Sequence, residues 1–302
     1  MKFCILGIKA GGGPLTTRHP SGTVLKSGSS AFLFDCSEGT QIQLIHAGVS
    51  RNSLDAIFIT HMHGDHIFGL MPLLSSMSSD RRTSVLHLIG PVGIEKFLKT
   101  NAELTGTNLQ FEILFKELET DFKGVVFKNN NCVISAAPMD HVVPCFGFKV
   151  QEIPQVNIDR EKLRSLGIEP GALVGVLKKN GSATLPDGRE IFLKDVIQPE
   201  VPGKIFVLCG DTRRTESAVE LAQNANVLIH EATFGKDLLE NAAQWFHSTT
   251  IDAAETALKA NVMSLYITHF SNRYEDLNAL LKESQEVFTN SFLAEELVWV
   301  EF

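Results

Sequence analysis

A six-residue segment, His61-Met62-His63-Gly64-Asp65-His66, constrains the structure of this chain more than any other feature. It follows the apolar run Ile57–Ile59, which predicts a buried strand that ends at the rim of a core. Side chains alternate along an extended chain, so His61 and His63 point to the same side and can reach one metal ion.

The end of the segment can serve a second ion. Gly64 lets the chain turn, so Asp65 and His66 can reach a position close to the first ion. Neutral imidazole and carboxylate groups suit zinc, and manganese where oxygen ligands carry more weight. Packing gives no reason to crowd three histidines and a carboxylate together, so the segment predicts a two-metal site.

Length, charge and cysteine usage indicate the class of protein. The chain has 302 residues, enough for one large domain, and its net charge of −8 argues against general coating of nucleic acid. Its five cysteines form no Cys-x-x-Cys pair, which favours buried thiols in a reducing compartment. No apolar stretch approaches the roughly 20 residues that span a bilayer. We therefore expect a cytoplasmic enzyme without a membrane segment.

Apolar periodicity predicts a chain of α/β or α+β class, in which strands and helices alternate. The predicted strands are Phe3–Ile8, Ala31–Asp35, Ala56–Thr60, Val85–Ile89, Gly124–Phe127, Cys132–Ala137, Phe146–Gln151, Lys204–Leu208, Val227–Ile229, Ser264–Ile267 and Leu297–Glu301. The predicted helices are Thr40–Ala47, Gly69–Ser76, Val92–Ala102, Thr215–Gln223, Ile251–Ala260 and Tyr274–Phe288.

Two short sequence similarities relate the first and second halves of the chain. Ile267-Thr268-His269 repeats the pattern of Ile59-Thr60-His61, and the run 206–211 loosely repeats the run 32–36. Together they indicate two similar halves that face each other, with a polar site at the shared rim.

The segment from about Gln155 to Lys194 differs from the rest, because it is polar and rich in glycine. Between Asp159 and Lys194 it has seven basic and five acidic residues, a net charge of +2 in a chain of −8. One interpretation is a solvated insertion, and the other is an arm that touches a polyanion.

Further candidate ligands follow other apolar runs, at predicted strand ends. They are His141, Asp211, His269 and the pair His230 and Glu231, while His247 precedes a predicted helix. Any one of them alone is more typical of a hydrogen-bonded structural residue.

Taken together, these motifs resemble the metallo-β-lactamase superfamily and, more narrowly, its tRNA 3′-processing branch, ribonuclease Z. The matching residues are Asp35, Glu38-Gly39-Thr40-Gln41, the segment 61–66, His141, Gly210-Asp211-Thr212, His230-Glu231-Ala232-Thr233, His247-Ser248-Thr249 and Thr268-His269-Phe270-Ser271. The segment 61–66 indicates the superfamily. The His-Glu-Ala-Thr and His-Ser-Thr motifs, with the glycine-containing arm, narrow the resemblance to the branch.

The resemblance implies a metallo-β-lactamase fold, a four-layer αββα sandwich formed by residues 1–302 as a single domain, with two zinc ions at one rim. Manganese is the alternative metal. By the family motif, the ligands of one ion are His61, His63 and His141, and those of the other are Asp65, His66 and His269. Asp211 would bridge the two ions.

The same resemblance implies the substrate and the assembly. The substrate would be precursor tRNA, and the protein would be a homodimer in which a protruding, flexible arm at 155–194 grips tRNA that the other subunit cuts. The candidate tRNA-binding residues are Gly167, Pro170, Gly171, Lys178, Lys179, Arg18 and Arg273. Arg213 and Arg273 lie beside ligand motifs, where each could touch phosphate or form an ordinary surface salt bridge.

The expected reaction is hydrolysis of a phosphodiester that leaves a 3′-hydroxyl on the tRNA. Asp65 would orient the attacking water and accept its proton, and His247 would protonate the leaving oxygen. His230 or Glu231 would orient neighbouring groups.

The loop after the first strand departs from the family pattern. The family often has a Pro-Thr-x-x-Arg-Asn-like motif here that is linked to sensing of the CCA end. Pro14 and Arg18 keep the spacing, but Leu15 and His19 replace the threonine and the asparagine. Rejection of tRNA that carries CCA is therefore left open.

Three alternatives remain open from the sequence. A small-molecule hydrolase of the same fold, such as a phosphodiesterase or a thioester or lactone hydrolase, would share the ligands but have little use for the arm. A metal-free RNA-binding protein would not need every ligand position filled. A nuclease directed at DNA is not excluded, since the chain has no RNA-reading motif.

Overall fold

The structure is a computed structural model that describes residues 1–15, 17–154, 158–168, 171–185, 187–198 and 202–302. It divides into two compact units, a main unit of Met1–Glu152 with Lys204–Phe302 and an inserted unit of Ile153–Gly203. Within the described residues, no helix is both long enough and apolar enough to cross a membrane.

Strands and helices alternate through both units. The strands are β1 (Lys2–Gly7), β2 (Gly22–Ser27), β3 (Ser30–Phe34), β4 (Ala56–Phe58), β5 (Leu86–Pro91), β6 (Ile113–Leu118), β7 (Gly124–Lys128), β8 (Cys132–Met139), β9 (Cys145–Glu152), β10 (Ser182–Thr184), β11 (Glu190–Phe192), β12 (Ile205–Leu208), β13 (Val227–Glu231), β14 (Ser264–Thr268), β15 (Ser291–Leu293) and β16 (Trp299–Glu301). The helices are α1 (Thr40–His46), α2 (Gly64–Ile67), α3 (Leu70–Ser79), α4 (Ile94–Thr105), α5 (Arg160–Ser165), α6 (Ala172–Asn180), α7 (Glu216–Ala222), α8 (Leu239–Trp245), α9 (Thr250–Lys259) and α10 (Asn278–Val287).

The main unit contains two seven-stranded sheets. The first has the order β16-β1-β2-β3-β4-β5-β6, and the second has the order β15-β14-β13-β12-β9-β8-β7. Strands β3 to β6 are parallel in the first sheet, and β12 to β15 are parallel in the second. Because parallel strands end at one edge, each sheet presents several strand ends at the same place.

Phenylalanine rings fill the space between the sheets. Phe34 and Phe58 of the first sheet lie 5.9 and 5.3 Å from Phe148 of the second, measured between ring centroids. Phe3 and Phe206 make a similar pair at 5.6 Å. All five rings are buried, so these aromatic contacts join the two sheets face to face.

Helices cover the outer face of each sheet. Leu44 of α1, Leu73 of α3 and Leu98 of α4 pack against the first sheet in one apolar cluster. Ala218 of α7 and Ala254 of α9 belong to the cluster that includes the second sheet. The main unit is therefore an αββα sandwich, as predicted.

Most predicted elements are present, with shifted ends. The predicted helix 274–288 begins at Asn278. The sequence did not predict β2, β6, β15, α2 and α8 of the main unit, or β10, β11, α5 and α6 of the inserted unit. The strand β6 was not predicted because Lys116 and Glu117 interrupt its apolar pattern. The strand β2 was not predicted because it has only two apolar residues, Val24 and Leu25.

The inserted unit has an apolar cluster of its own. Its buried members are Leu163, Ile168, Leu177, Ala183, Leu185, Ile191 and Val196. The sequence analysis described this segment as polar and did not detect the cluster, because glycines and charged residues separate its apolar residues. Around the cluster lie α5, α6 and the hairpin of β10 and β11.

Candidate metal centre

The strand ends of both sheets meet at one rim. Thr60, just beyond β4, accepts a hydrogen bond at its carbonyl from Phe146 N of β9, at 2.9 Å. Gly210 lies against both residues, and a Cβ there would stand 2.8 Å from Thr60 Cβ and 2.9 Å from Phe146 O. The Gly-Asp-Thr motif therefore begins with glycine because the two sheets approach too closely for a side chain, and this places Asp211 at the rim.

Three imidazole nitrogens from both sheets converge at the rim. His61 Nε2 lies 3.0 Å from His63 Nδ1, which lies 3.4 Å from His141 Nε2. Two nitrogens bound to one tetrahedral zinc ion at about 2.05 Å each stand roughly 3.3 Å apart. The spacing of this first ligand set fits one such ion.

A second ligand set lies beside the first. Asp65 Oδ2 is 3.8 Å from His66 Nε2 and 3.6 Å from His269 Nε2. Both of these Nε2 atoms are buried and have no hydrogen-bond partner among the described residues. A buried nitrogen without a partner is costly, and a cation at this position would satisfy both of them.

Asp211 lies between the two sets. Its Oδ2 is 3.7 Å from His61 Nε2, 3.6 Å from His66 Nε2 and 3.4 Å from His269 Nε2. One carboxylate is therefore within reach of ligand nitrogens from both sets, which is the position that a bridging ligand needs.

Hydrogen bonds fix the tautomers of the histidines in the first sheet. Asp35 accepts from His66 Nδ1 at 2.8 Å and from Thr60 Oγ1 at 3.0 Å. Because the Thr60 hydroxyl donates to Asp35, it accepts from His61 Nδ1 at 2.9 Å. Both histidines thus carry their proton on Nδ1, which leaves the Nε2 lone pair for a metal ion.

Hydrogen bonds also fix the tautomers of the histidines in the second sheet, with different partners. Thr233 Oγ1 donates to Glu231 at 2.8 Å and accepts from His269 Nδ1 at 3.0 Å. His141 Nδ1 donates to the carbonyl of Phe246 at 2.9 Å. Both histidines therefore also present an unprotonated Nε2 to the rim.

Two of the rim residues adopt left-handed backbone conformations. Asp35 has a φ of 57° and His269 a φ of 58°. Residues other than glycine rarely adopt this conformation, and it is concentrated at functional sites. Here it directs one side chain from each sheet toward the ligand sets.

The electrostatics of the first set favour neutral imidazoles. Burial lowers the pKa of His61, His63 and His141, so each is in the form that coordinates a metal ion. Burial favours the same neutral form at His66, but the carboxylates of Asp35 and Asp211 outweigh burial and raise the pKa of His66 well above its usual value. A metal ion at Nε2 would compete with that proton.

The carboxylates remain ionised although they are buried. Burial alone would raise the pKa of Asp65 and Asp211, but His66 and His269 hold both well below the usual range. The backbone N–H of Gly11 also donates to Asp65 Oδ2 at 2.8 Å. Both aspartates are thus available as anionic ligands at neutral pH.

His247 differs from the histidines of the two ligand sets, because its partner is a buried carboxylate. Its Nδ1 lies 2.8 Å from Glu231 Oε1, and Glu231 is held by Thr212 N at 3.1 Å and Thr233 N at 3.0 Å. Burial would lower the pKa of His247, but Glu231 and then Asp211 outweigh burial and raise it to about 9. At neutral pH His247 is an imidazolium with a proton to donate.

A cavity of about 440 Å³ opens onto this rim. Its lining includes Asp65, His63, His247 and His269, together with aromatic and basic side chains. A substrate in this cavity would meet the ligand sets and the imidazolium together.

Several predicted site residues lie elsewhere. His230 is buried, and its Nδ1 donates to the carbonyl of Glu231 rather than to a group in the ligand sets. Arg18 donates to the carbonyls of Tyr274 and Glu275, so its guanidinium ties two loops together. Arg213 forms a two-point ion pair with Asp140, the ordinary salt bridge that the sequence left as one alternative.

The remaining predicted tRNA-binding residues fall into two groups. Arg273 lines the cavity. Gly167, Gly171, Lys178 and Lys179 belong to the inserted unit, and Pro170 lies outside the described residues.

Sequence reasoning assigned no role to Asp35, Thr60 or Thr233, which hold the ligand imidazoles in place. Asp35 follows a buried strand directly, as the other candidates do, so its position was a usable signal. The roles of Thr60 and Thr233 depend on contacts across the fold, and no local pattern reveals them. The same is true of Gly11, which contacts Asp65 across 54 positions of sequence.

Comparison with known proteins gives consistent matches. Residues 1–157 match the family model described as Anti-Pycsar protein Apyc1. The chain is 42% identical over 278 residues to ribonuclease Z of Listeria monocytogenes serotype 4a, with 91% of this chain and 90% of that protein covered. It is 39% identical to ribonuclease Z of Enterococcus faecalis, with 100% and 97% covered. The crystal structure of the short form of human tRNase Z superposes with a TM-score of 0.73 at 27% identity, covering 100% of this chain and 99% of that one.

Proposed function

Because the chain belongs to the ribonuclease Z family, and by residues 1–157 to the Anti-Pycsar protein Apyc1 family as well, we propose that it cuts the 3′ trailer from precursor tRNA at a rim that would hold two zinc ions. The chain is an endoribonuclease that processes tRNA 3′ ends with divalent metal ions. The finer assignments of metal, residue roles, arm and assembly are our proposal.

The observation that carries the proposal is the convergence of two ligand sets on Asp211. We assign His61, His63 and His141 to one ion and Asp65, His66 and His269 to the other, with Asp211 reaching both. Bound there, two such ions would lower the pKa of a water molecule and offset charge on the phosphodiester. Five imidazoles and two carboxylates favour zinc, with manganese as the alternative.

The chain's own residues move the protons. Asp65 is ionised and lines the cavity, so it can orient the attacking water and accept its proton. The water oxygen bonds to phosphorus while the bond from phosphorus to the 3′ oxygen of the tRNA breaks. His247, held through Nδ1 by Glu231, donates a proton from Nε2 to that leaving oxygen. The products are a tRNA with a 3′-hydroxyl and a trailer with a 5′-phosphate.

We assign part of the tRNA binding to the inserted unit, which is the predicted arm. Lys178 and Lys179 end α6, are exposed and have no carboxylate partner among the described residues. The apolar cluster of the unit gives these lysines a folded support. Gly167, with a φ of 73°, and Gly171 are the described glycines among the candidate tRNA-binding residues.

Removing the arm tests this assignment. Glu152 N donates to Lys204 O at 2.9 Å, so the ends of the unit are adjacent and a short Gly-Ser linker can replace it. We expect the shortened protein to lose cleavage of precursor tRNA and to keep hydrolysis of bis(p-nitrophenyl) phosphate. Retention of both activities would remove the arm from the proposal.

We also propose a cytoplasmic homodimer. All five cysteines are free and buried, which fits a reducing compartment. Ile42 and Ile45 are exposed and lie three positions apart on α1, so they share one face of that helix. Such neighbouring apolar residues are typical of an interface. Molar mass measured by light scattering tests this interface. Ile45→Glu should give a monomer, whereas Leu104→Glu, at a position that is also exposed, should not.

The activity itself is tested on a 3′-extended precursor tRNA with the product end mapped. We expect a cut just past the acceptor stem that chelator abolishes and zinc or manganese restores. Hydrolysis of a small phosphodiester without any cut in tRNA would instead assign the site to small-molecule chemistry.

A further inference from the structure

The cavity carries an aromatic side chain that the metal chemistry does not use. Trp245 lines the cavity, is 62% exposed, and comes two residues before His247. A single exposed aromatic residue is ordinary on a protein surface. This one differs because it stands in the same cavity as the groups that would contact the substrate.

Trp245 is also fixed in place. It ends α8, and the next residue, Phe246, has a left-handed φ of 57°. The carbonyl of Phe246 accepts from His141 Nδ1, and its ring lies 4.0 Å from the guanidinium carbon of Arg213. Arg213 is held in turn by Asp140. The backbone that presents the indole is therefore anchored to a candidate metal ligand, so this segment of backbone need not be ordered when substrate arrives.

Positive charge lies in the same cavity. Arg273 lines it, with its guanidinium carbon 5.2 Å from the ring centroid of Phe234, another lining residue. Arg273 forms no ion pair with a carboxylate in the part of the chain that the structure describes, so its charge is available to a phosphate. Aromatic faces beside unpaired cations are what proteins use to bind single-stranded nucleic acid.

We propose that Trp245 stacks on the unpaired nucleobase of the nucleotide whose 3′ oxygen leaves during cleavage. The inference rests on the proposed function, in which His247 protonates that oxygen. Because Trp245 is two residues from His247 and shares its cavity, the base of that same nucleotide is the one nearest the indole. Every base has a π face, so such a site would accept substrates that differ at this nucleotide.

Fluorescence gives a direct test, since Trp245 and Trp299 are the two tryptophans of the chain. In a Trp299→Phe protein, Trp245 is the sole indole reporter. This protein is titrated with processed tRNA that ends in the unpaired nucleotide, and with the same tRNA made abasic there. We expect quenching by the first and little by the second, whereas equal quenching would overturn the proposal.

Kinetics provide the second test. Trp245→Ala should raise KM for precursor tRNA by about ten- to a hundredfold, and Trp245→Phe should restore most of the loss. With a precursor that is abasic at the same nucleotide, wild type and Trp245→Ala should have equal KM. If the effects of the substitution and of the missing base multiply, the two groups do not interact. Leu239→Ala is the matched control, because Leu239 is exposed on the same helix but does not line the cavity.

Two further readouts separate this inference from the proposed function. Metal content should be unchanged in Trp245→Ala, and kcat on precursor tRNA should change much less than KM, because the substitution leaves the metal ligands and the proton-transfer residues in place. If wild type cuts tRNA and Trp245→Ala cuts it equally well, this inference alone fails. If wild type hydrolyses the small ester but cuts no tRNA, the proposed function fails and the stacking site fails with it.

Discussion

The two sheets supply the rim in different ways. The first sheet contributes four candidate ligands from one segment of six residues, 61–66, and the second contributes His141, Asp211 and His269 from three separate strand ends. The first arrangement forms largely from local chain geometry, whereas the second exists only once β8, β12 and β14 are aligned. The sheets also divide the proposed chemistry, since the first holds the proton acceptor and the second holds the shared carboxylate and the proton donor.

The largest expected effect is the loss of the proton acceptor from the first sheet. Asp65→Ala should lower kcat on precursor tRNA by about 10³-fold or more, because it removes a ligand of the second set and the proposed base together. Asp121→Ala, an exposed aspartate outside the cavity, should leave kcat unchanged. Near-normal turnover by Asp65→Ala would contradict the mechanism.

Metal content tests whether Asp211 of the second sheet contributes to both ligand sets. Asp211→Ala should lose most of both ions, because its carboxylate lies within reach of both sets. His63→Ala should retain about one ion per chain, since His63 belongs to one set. Mass spectrometry of the dialysed proteins measures the ratio, and similar losses would show that Asp211 does not bridge. Unchanged zinc in His63→Ala would remove that residue from the ligands.

The proton donor of the second sheet gives a smaller effect that depends on substrate. His247→Ala should lower kcat on precursor tRNA by about 100-fold, because the 3′ oxygen is a poor leaving group without a proton. Hydrolysis of bis(p-nitrophenyl) phosphate should fall much less, since p-nitrophenolate leaves unaided. Equal losses on the two substrates would mean that His247 acts in some way other than proton donation.

The smallest effect is a shift in pH dependence. An acid is active below its pKa, and Glu231 helps to raise the pKa of His247 to about 9. Glu231→Gln removes that charge, so the alkaline limb of kcat should move to lower pH while the rate at acidic pH changes little. A rate profile from pH 6 to 10 measures the shift. An unmoved limb would assign the titration to another group.

The difference between the sheets also explains what the sequence could predict. Asp65 and its histidine neighbours were recognisable because their spacing encodes their geometry. His141 and Asp211 became candidates only as polar residues after apolar runs, and their grouping came from family resemblance. The roles of Thr233 and Phe246 were not predicted, because their contacts with His269 and His141 join distant parts of the chain.

The same limit applies to the fold. Apolar periodicity predicted the α/β or α+β class, because it marks the buried faces of strands and helices, whereas the αββα layers were expected from the family resemblance. The apolar cluster of the inserted unit was not predicted, because its members are single residues such as Leu163, Leu177 and Val196, spread over 34 positions of sequence.

The left-handed backbone at Asp35 and His269 makes the stability of the fold depend on the supply of metal. Each such residue costs about 1–3 kcal/mol, and each belongs to a different sheet. Ions that bind only the folded chain would offset this cost in proportion to their free concentration. In a metal-starved cell this cost would not be offset, so catalytic competence and resistance to proteolysis should decline together.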